Sequence, residues 1–354
     1  MGIISRTAKY KSPAGWRGFL NEKTFFKQLS VAKTQIYLVF HSLIRNFANG
    51  MKYETLWRRL TGIYDTDEAK AIVRWVLDVR FGLSLTDIVC GKVDELPAAA
   101  LAELEAMMQR LEQAEPVQYV VGVAEFCGRQ FHVEPGVLIP RPETGELVQW
   151  IEKEVKGELK GSYRFAQELK GQYSAIEDEP YSILDIGTGS GCIAITLALE
   201  MKGAKVTAWD ISEKALSIAK KNAKALGADV TFEKQDILNH SSLLTLNSSL
   251  PMWDVIVSNP PYVCDKEKAT MERHVLEHEP HLALFVPDDD PLRFYRAIAQ
   301  YAKAALKPGG LLYFELNPLY ARETEALVQA LGFTETDIRP DQFGKQRFLK
   351  AKKI

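Results

Sequence analysis

No stretch of about 18 consecutive apolar residues occurs in the chain, so nothing in it reads as a membrane-spanning helix. The longest N-terminal apolar run, Ile36-Tyr37-Leu38-Val39-Phe40, is far too short and stops at His41. Cysteine is scarce: Cys90, Cys127, Cys192 and Cys264 show no paired spacing, which speaks against a disulfide framework or a structural zinc site and suits reduced thiols in a cytoplasm. Histidine is scarce too. His274 and His278 stand one helical turn apart beside Glu277 and His281, but no further ligand falls in register for both. A solvated helix end is therefore expected, with no metal. A phosphate-binding Gly-Lys-Ser/Thr is missing altogether.

Excess charge of one sign is also missing at first sight, with 44 Lys and Arg against 46 Asp and Glu. Dividing the chain changes that picture. Residues 1–50 carry eight Lys or Arg and only Glu22, a net of +7, so the overall −2 leaves −9 for residues 51–354. An acidic body opposes phosphate tracking, because non-specific nucleic-acid affinity comes from Lys and Arg neutralising phosphates. Direct contact with nucleic acid is not expected. Residues 1–50 form a basic extension without clear periodicity, and Met51-Lys52-Tyr53-Glu54 reads like a natural start. An upstream-extended reading frame is the expectation, ahead of a basic tail contacting RNA or the ribosome and of a targeting peptide.

The length suits two domains. Residues 51–117 read as a helical domain: Leu56, Trp57 and Leu60 recur at helical spacing, Asp65-Thr66-Asp67-Glu68 looks like an N-terminal cap ahead of Ile72, Val73, Trp75 and Leu77, and Pro97 opens another helix with Leu101, Leu104, Met108 and Leu111. Further on, short apolar strands alternate with helical stretches, which implies a mainly parallel sheet covered on both faces. A polar segment at about 156–181 holds a near-repeat, Glu158-Leu159-Lys160-Gly161-Ser162-Tyr163 and Glu168-Leu169-Lys170-Gly171-Gln172-Tyr173. It reads as a surface insertion between a helix and the first strand of that sheet.

The chemistry is concentrated at strand ends. Asp254-Val255-Ile256-Val257-Ser258 runs into Asn259-Pro260-Pro261-Tyr262. Both prolines fix φ and lack an N–H, leaving a stiff, acceptor-rich backbone beside one amide side chain and one flat ring. That set suits a planar NH₂ group, either an amide or an exocyclic amine. Upstream, Ser182-Ile183-Leu184-Asp185-Ile186 leads into Gly187-Thr188-Gly189-Ser190-Gly191 and then an apolar helix, the strand–glycine loop–helix unit that cradles nucleotides. The spacing Gly-x-Gly-x-Gly departs from the dinucleotide fingerprint, which would need glycine where Cys192 stands; Cys192 reads as a small buried residue. The next strand ends in Asp210, at the distance of a ribose-binding acid. The strand after it leads to Asp236, in position for an adenine amino group. A glycine loop, a ribose acid and an adenine acid without a phosphate grip point to S-adenosylmethionine, with Asp185, Gly187, Thr188, Gly189, Gly191, Asp210, Asp236 and Asn259 as cofactor-binding residues.

These motifs resemble those of class I methyltransferases acting on planar amino groups, a Rossmann-like fold with a seven-stranded, mostly parallel sheet. Pro116-Val117-Gln118-Tyr119-Val120-Val121-Gly122, with Glu125-Phe126-Cys127-Gly128 and Phe131, is similar to the hairpin joining the domains of the HemK/PrmC family of peptide chain release factor N(5)-glutamine methyltransferases. Ile139-Pro140-Arg141-Pro142-Glu143-Thr144 resembles that family's segment beside the active site, and Glu279-Pro280, Ala283-Leu284 and Phe343 to Phe348 fit its later segments. Gly145 departs from the pattern, as does Pro287-Asp288-Asp289-Asp290-Pro291. The resemblance covers roughly residue 51 to the C-terminus. It implies a substrate-docking domain at 51–117, a linking hairpin at 118–135 and a methyltransferase domain at 136–354. It also implies methylation of the glutamine in the Gly-Gly-Gln motif of a release factor by a cytoplasmic monomer. Asn259, Pro260 and Tyr262 would be catalytic, and Pro261, Arg141, Glu143 and Thr144 would join them in binding substrate. In this reading the Asn259 oxygen and the Pro260 carbonyl accept the two N–H bonds while Tyr262 packs on the amide plane. A ribosomal-protein glutamine or an N(6)-adenine in nucleic acid would present the same NH₂ and remain the alternatives.

Overall fold

The computed structural model describes residues 51–169, 180–239 and 252–354; residues 1–50 and the second half of the near-repeat from Lys170 onward lie outside them. Near the N-terminus the capping chemistry sets the helix boundaries. α1 (Tyr53–Leu60) is followed by Asp65, whose carboxylate accepts the backbone N–H groups of Asp67 and Glu68 and starts α2 (Thr66–Phe81). Gly82, at φ +67°, ends α2 in the left-handed conformation that glycine adopts without strain. Ser84 and Asp87 form a reciprocal capping box that opens α3 (Leu85–Val89), and Pro97 precedes α4 (Ala98–Leu111). Leu56, Leu60, Val73, Val76, Leu77, Leu104, Met108 and Leu111 bury one another in a core of their own, while Trp57, Trp75 and Leu101 pack at its edge. Arg59 fastens α1 to α4 through bonds to Glu105 and Glu112.

The junction is partly helical where the sequence reading expected only a hairpin. Val117–Val121 form one short helix, α5, stopped by Gly122 at φ +80°. The hairpin proper is β1 (Val123–Phe126) and β2 (Arg129–His132), joined by Cys127 and Gly128, both at positive φ as a two-residue turn of matching twist requires. α6 then runs from Pro142 to Leu169, 28 residues, so the first half of the near-repeat continues the helix rather than interrupting it.

The large sheet contains β3 (Ser182–Ile186), β4 (Lys205–Asp210), β5 (Val230–Lys234), β6 (Trp253–Ser258), β9 (Leu306–Glu315), β10 (Phe333–Pro340) and β11 (Gln346–Lys353) in the order β10-β11-β9-β6-β3-β4-β5. The five strands from β9 to β5 are mutually parallel, and β11 pairs antiparallel with both β9 and β10. Strands buried on both faces are apolar at most positions, which is why the central ones read as near-continuous runs. Ile183, Val255, Val257 and Tyr313 face α6 and α7 (Cys192–Glu200), while Leu184, Ile186, Ile256 and Phe314 face α11 (Arg293–Ala305). α8 (Glu213–Leu226) follows β4. Beyond β6, a two-stranded ribbon of β7 (Val263–Cys264) and β8 (Phe285–Val286) encloses α9 (Arg273–His278) and α10 (His281–Leu284). α12 (Ala321–Ala330) leads into the closing strands.

β3 and β6 are neighbours from which the chain proceeds in opposite directions across the sheet. Such a switch point opens a crevice at the carboxyl ends of the strands. Ser258 Oγ donates to the Ile186 carbonyl at 2.6 Å and locks those two ends together. The Gly187–Gly191 loop and the Asn259–Tyr262 loop both leave the sheet there.

Candidate active site

The glycine loop owes its shape to three positive φ angles, +77° at Gly187, +56° at Gly189 and +84° at Gly191. A side chain at any of the three would strain the backbone, and its absence leaves the loop's N–H groups accessible. Gly191 has a second constraint: a Cβ there would stand 2.7 Å from Ile195 Cδ1 and 3.1 Å from Ala219 Cβ. Asp185 lies beneath the loop, completely buried. One of its oxygens accepts the Thr188 hydroxyl at 2.6 Å and the Ala194 N–H at 3.3 Å, and the other has no partner. Burial lifts its pKa from the usual carboxylate value to about 7. Asp185 thus shapes the loop from below and does not reach the cavity wall. The buried Cys192 thiol is raised in pKa to about 12, again by burial, as an inert packing residue would be.

Asp210, at the end of β4, accepts the Gly189 N–H at 2.9 Å on one oxygen and the Ser212 N–H at 2.8 Å on the other. Each carboxylate oxygen has a further lone pair for a ligand hydroxyl. Burial raises its pKa, against the opposing pull of those backbone bonds. A cavity of about 370 Å³ opens over this edge, lined by Gly187, Gly189, Asp210, Asp236, Ser258, Asn259, Pro260 and Pro261, with apolar walls from Ile186, Trp209, Ile237, Leu238, Phe294 and Ile298. Asp236 holds the Leu238 N–H at 3.0 Å. Such a slot, apolar on its faces with carboxylates at two corners, fits a nucleoside: a flat base between the walls and vicinal hydroxyls on Asp210. A smaller pocket of about 40 Å³ shares Gly187, Gly189 and Asn259 with it and is lined besides by Arg141, Thr144 and Thr188.

Asn259 stands where the two pockets meet. Its Nδ2 donates to Thr144 Oγ1 at 3.2 Å. Thr144 in turn donates to Glu315 Oε2 at 2.6 Å, and Tyr262 donates to Glu315 Oε1 at 3.0 Å. Tyr262 does not line the large cavity. The hydroxyl's bond to buried Glu315 and a bond from Asn317 Nδ2 to the Tyr262 carbonyl at 2.9 Å draw the ring into the apolar cluster beside β6 and β9, away from the packing on a substrate amide that the sequence suggested. Arg141 pairs with the fully buried carboxylate of Glu279, which also accepts the Ile139 N–H at 3.1 Å, so this arginine fastens its own segment to the residues before Pro280. Glu143 sits half-buried in the first turn of α6.

Two contributors were not read as site residues from the sequence. Glu315 ends β9 and shows in sequence only as one polar residue in the apolar run from Gly310 to Leu316. Asn222 in α8, 2% exposed, takes the His132 N–H at 2.8 Å and donates to the carbonyls of His132 and Ser190, joining the β1–β2 hairpin to the glycine loop. The histidine cluster has other work: Nε2 of His278 meets the Gln113 carbonyl, Nε2 of His281 meets that of Leu276, and Glu277 pairs with Arg273. Among the described residues no group of three or more potential metal ligands converges.

Sheet order, glycine loop, paired acids and the Asn-Pro-Pro-Tyr corner define a class I methyltransferase, an enzyme that takes its methyl group from S-adenosylmethionine. Residues 177–320 match the methyltransferase domain family, and residues 57–122 match the PrmC N-terminal domain. A release factor glutamine methyltransferase of Bacteroides thetaiotaomicron is 45% identical over 82% of this chain and 95% of its own. Those of Flavobacterium psychrophilum and Chlorobaculum tepidum are 41% and 39% identical, over 82% and 78% of this chain and 94% and 87% of theirs. The chain belongs to the release factor glutamine methyltransferase family.

Proposed function

We propose that the protein methylates the side-chain nitrogen of the glutamine in the Gly-Gly-Gln motif of a peptide chain release factor, in the cytoplasm where release factors act. The observation that carries this reading is the orientation of Asn259: one N–H of its side chain goes to Thr144, and the residue lines the cavity together with Pro260, so the Asn259 oxygen and the Pro260 carbonyl are the acceptors we assign to the substrate. Two such acceptors match the two N–H bonds of a primary amide.

An amide nitrogen is a poor nucleophile because its lone pair is delocalised into the carbonyl, the resonance behind a rotation barrier of about 18–20 kcal/mol. When bound, S-adenosylmethionine supplies an electrophilic methyl group on a sulfonium sulfur. Asp210 and Asp236, with the Gly187 and Gly189 backbone, would hold its nucleoside. The Asn259 oxygen and the Pro260 carbonyl would grip both amide hydrogens, favour the pyramidal nitrogen and aim its remaining electron pair along one line. Positioning of that kind supplies most of the rate in an in-line transfer. The two prolines fix the loop, so little conformational freedom is lost when substrate arrives. No strong base is needed, since the nitrogen becomes acidic as it is alkylated and releases its proton to solvent.

The test supplies labelled S-adenosylmethionine with release factor, ribosomal protein and DNA in separate reactions. Label is expected in the release factor. Label confined to the ribosomal protein or to DNA would reject the substrate assignment.

A further inference from the structure

Asn259 can serve a substrate NH₂ only if its oxygen, not its own NH₂, faces the site. The two ends of a carboxamide are nearly the same shape, so packing alone does not choose between them. Hydrogen-bond polarity does. Thr144 has a single hydroxyl hydrogen, and it is given to Glu315 Oε2 at 2.6 Å; only lone pairs remain for a neighbour, and Asn259 Nδ2 donates to them at 3.2 Å. The other Glu315 oxygen accepts from Tyr262 at 3.0 Å, and the Glu315 backbone carbonyl accepts from Tyr295 at 3.1 Å. Thr144 and Glu315 are each 2% exposed, so water has little access to rearrange these bonds. Burial raises the pKa of the Glu315 carboxyl, while the Thr144 and Tyr262 hydroxyls and the charge of Arg347 act in the opposite direction.

We propose that Glu315, acting through Thr144, sets the direction of the Asn259 amide, and that this relay makes the site select a substrate amide over the isosteric carboxylate of glutamate. An inward-facing amide oxygen accepts an N–H and repels a carboxylate; a flipped amide would do the reverse. Thr144 and Glu315 are positioning residues, since neither carries the acceptor that meets the substrate. The inference rests on the reading of Asn259 as the acceptor of the substrate amide.

Thr144→Val keeps the size of the side chain and removes the hydroxyl, freeing Asn259 to turn. With release factor as substrate, kcat should fall about ten- to a hundredfold, the effect of losing one buried hydrogen bond that orients the reacting group. KM should change little, because a flipped Asn259 still pairs with a flipped glutamine. S-Adenosylmethionine affinity should hold, and Thr144→Ser should recover most of kcat. A release factor bearing glutamate in place of the target glutamine should inhibit Thr144→Val more strongly than the parent. Glu315→Gln, which swaps one acceptor oxygen for a donor at constant size, should reproduce the loss of kcat. Urea unfolding of each variant establishes that the fold is retained. Parental kcat in Thr144→Val, kcat in Thr144→Ser as low as in Thr144→Val, or unchanged inhibition by the glutamate-bearing factor would overturn the relay. Asn259→Ala separates the two levels. If it is inactive while Thr144→Val is normal, only the relay falls; if it transfers methyl at the parental rate, the reading of Asn259 falls with it.

Discussion

Replacing Asp210 by alanine acts on two things at once, and the structure separates them. The carboxylate is the acceptor proposed for the ligand's hydroxyls, and it also holds the Gly189 and Ser212 N–H groups at 2.9 and 2.8 Å. A hydrogen bond to a charged group is worth about 1.5–3 kcal/mol. Loss of one such bond raises the dissociation constant for S-adenosylmethionine by about ten- to a hundredfold, at about 1.4 kcal/mol per factor of ten. The two orphaned N–H groups add a stability loss of about 1–3 kcal/mol, smaller if water reaches them through the open cavity. Asp210→Asn should be milder on both counts, because one acceptor oxygen survives. Calorimetric titration with S-adenosylmethionine reads the first effect and urea unfolding the second. Since burial raises the Asp210 pKa, affinity in the parent should also weaken on acidification sooner than an ordinary carboxylate would allow, a trend absent from the alanine variant. A folded Asp210→Ala protein that binds S-adenosylmethionine within twofold of the parent, taken as about 0.4 kcal/mol, would refute the assignment.

Gly191→Ala combines a positive φ with a Cβ placed 2.7 Å from Ile195 Cδ1, so it should destabilise the fold by about 2–4 kcal/mol, strain and overpacking together; a urea midpoint like the parent's would contradict that. Asp185 gives a pH dependence of determined sign. Its carboxyl titrates near 3.8 when exposed and at about 7 in the fold, so between those values the folded state holds the extra proton. Its contribution to stability therefore falls as pH rises from about 4 to about 7 and is flat above, by about 4 kcal/mol at most at 1.36 kcal/mol per pKa unit. Asp185→Asn should remove this slope and gain on the parent at pH 8 relative to pH 4.5, values about one unit above the window and about half a unit inside its lower end. A parent that gains on the variant at the higher pH would show the burial argument to be wrong.

Much of this architecture is legible in the residues because the constraints that produce it are local. β3, β4 and β6 are largely buried strands and so are mostly apolar, with their acids at or near the strand ends, and Gly187, Gly189 and Gly191 occupy backbone conformations that other residues enter only with strain. Asp65 and Pro97 announce their helices through chemistry a few residues long. The relay behind Asn259 is a different case. Thr144, Tyr262 and Glu315 come from three distant segments, and the Thr144–Glu315 bond spans 171 positions. Glu315 alone looks like the polar end of a strand. Tyr262 suggested a ring facing substrate because an aromatic beside two prolines suits stacking, but a buried carboxylate behind the loop holds its hydroxyl and takes the ring with it. The polar, glycine-bearing stretch after Val155 suggested an end to α6. The helix continues instead, aided by the Lys156–Glu152 pair one turn apart. Asn222, at the centre of three bonds between hairpin, loop and helix, has no sequence signature beyond being a polar residue on a helix.

The central claim is that the Asn259 corner delivers a methyl group to a glutamine side-chain nitrogen. Peptide mass spectrometry of a release factor incubated with the enzyme and S-adenosylmethionine tests it most directly. The account predicts one added methyl group, on the side-chain nitrogen of the Gly-Gly-Gln glutamine, absent when the enzyme is Asn259→Ala. A methyl group on any other residue, or one still added at the parental rate by Asn259→Ala, would contradict it.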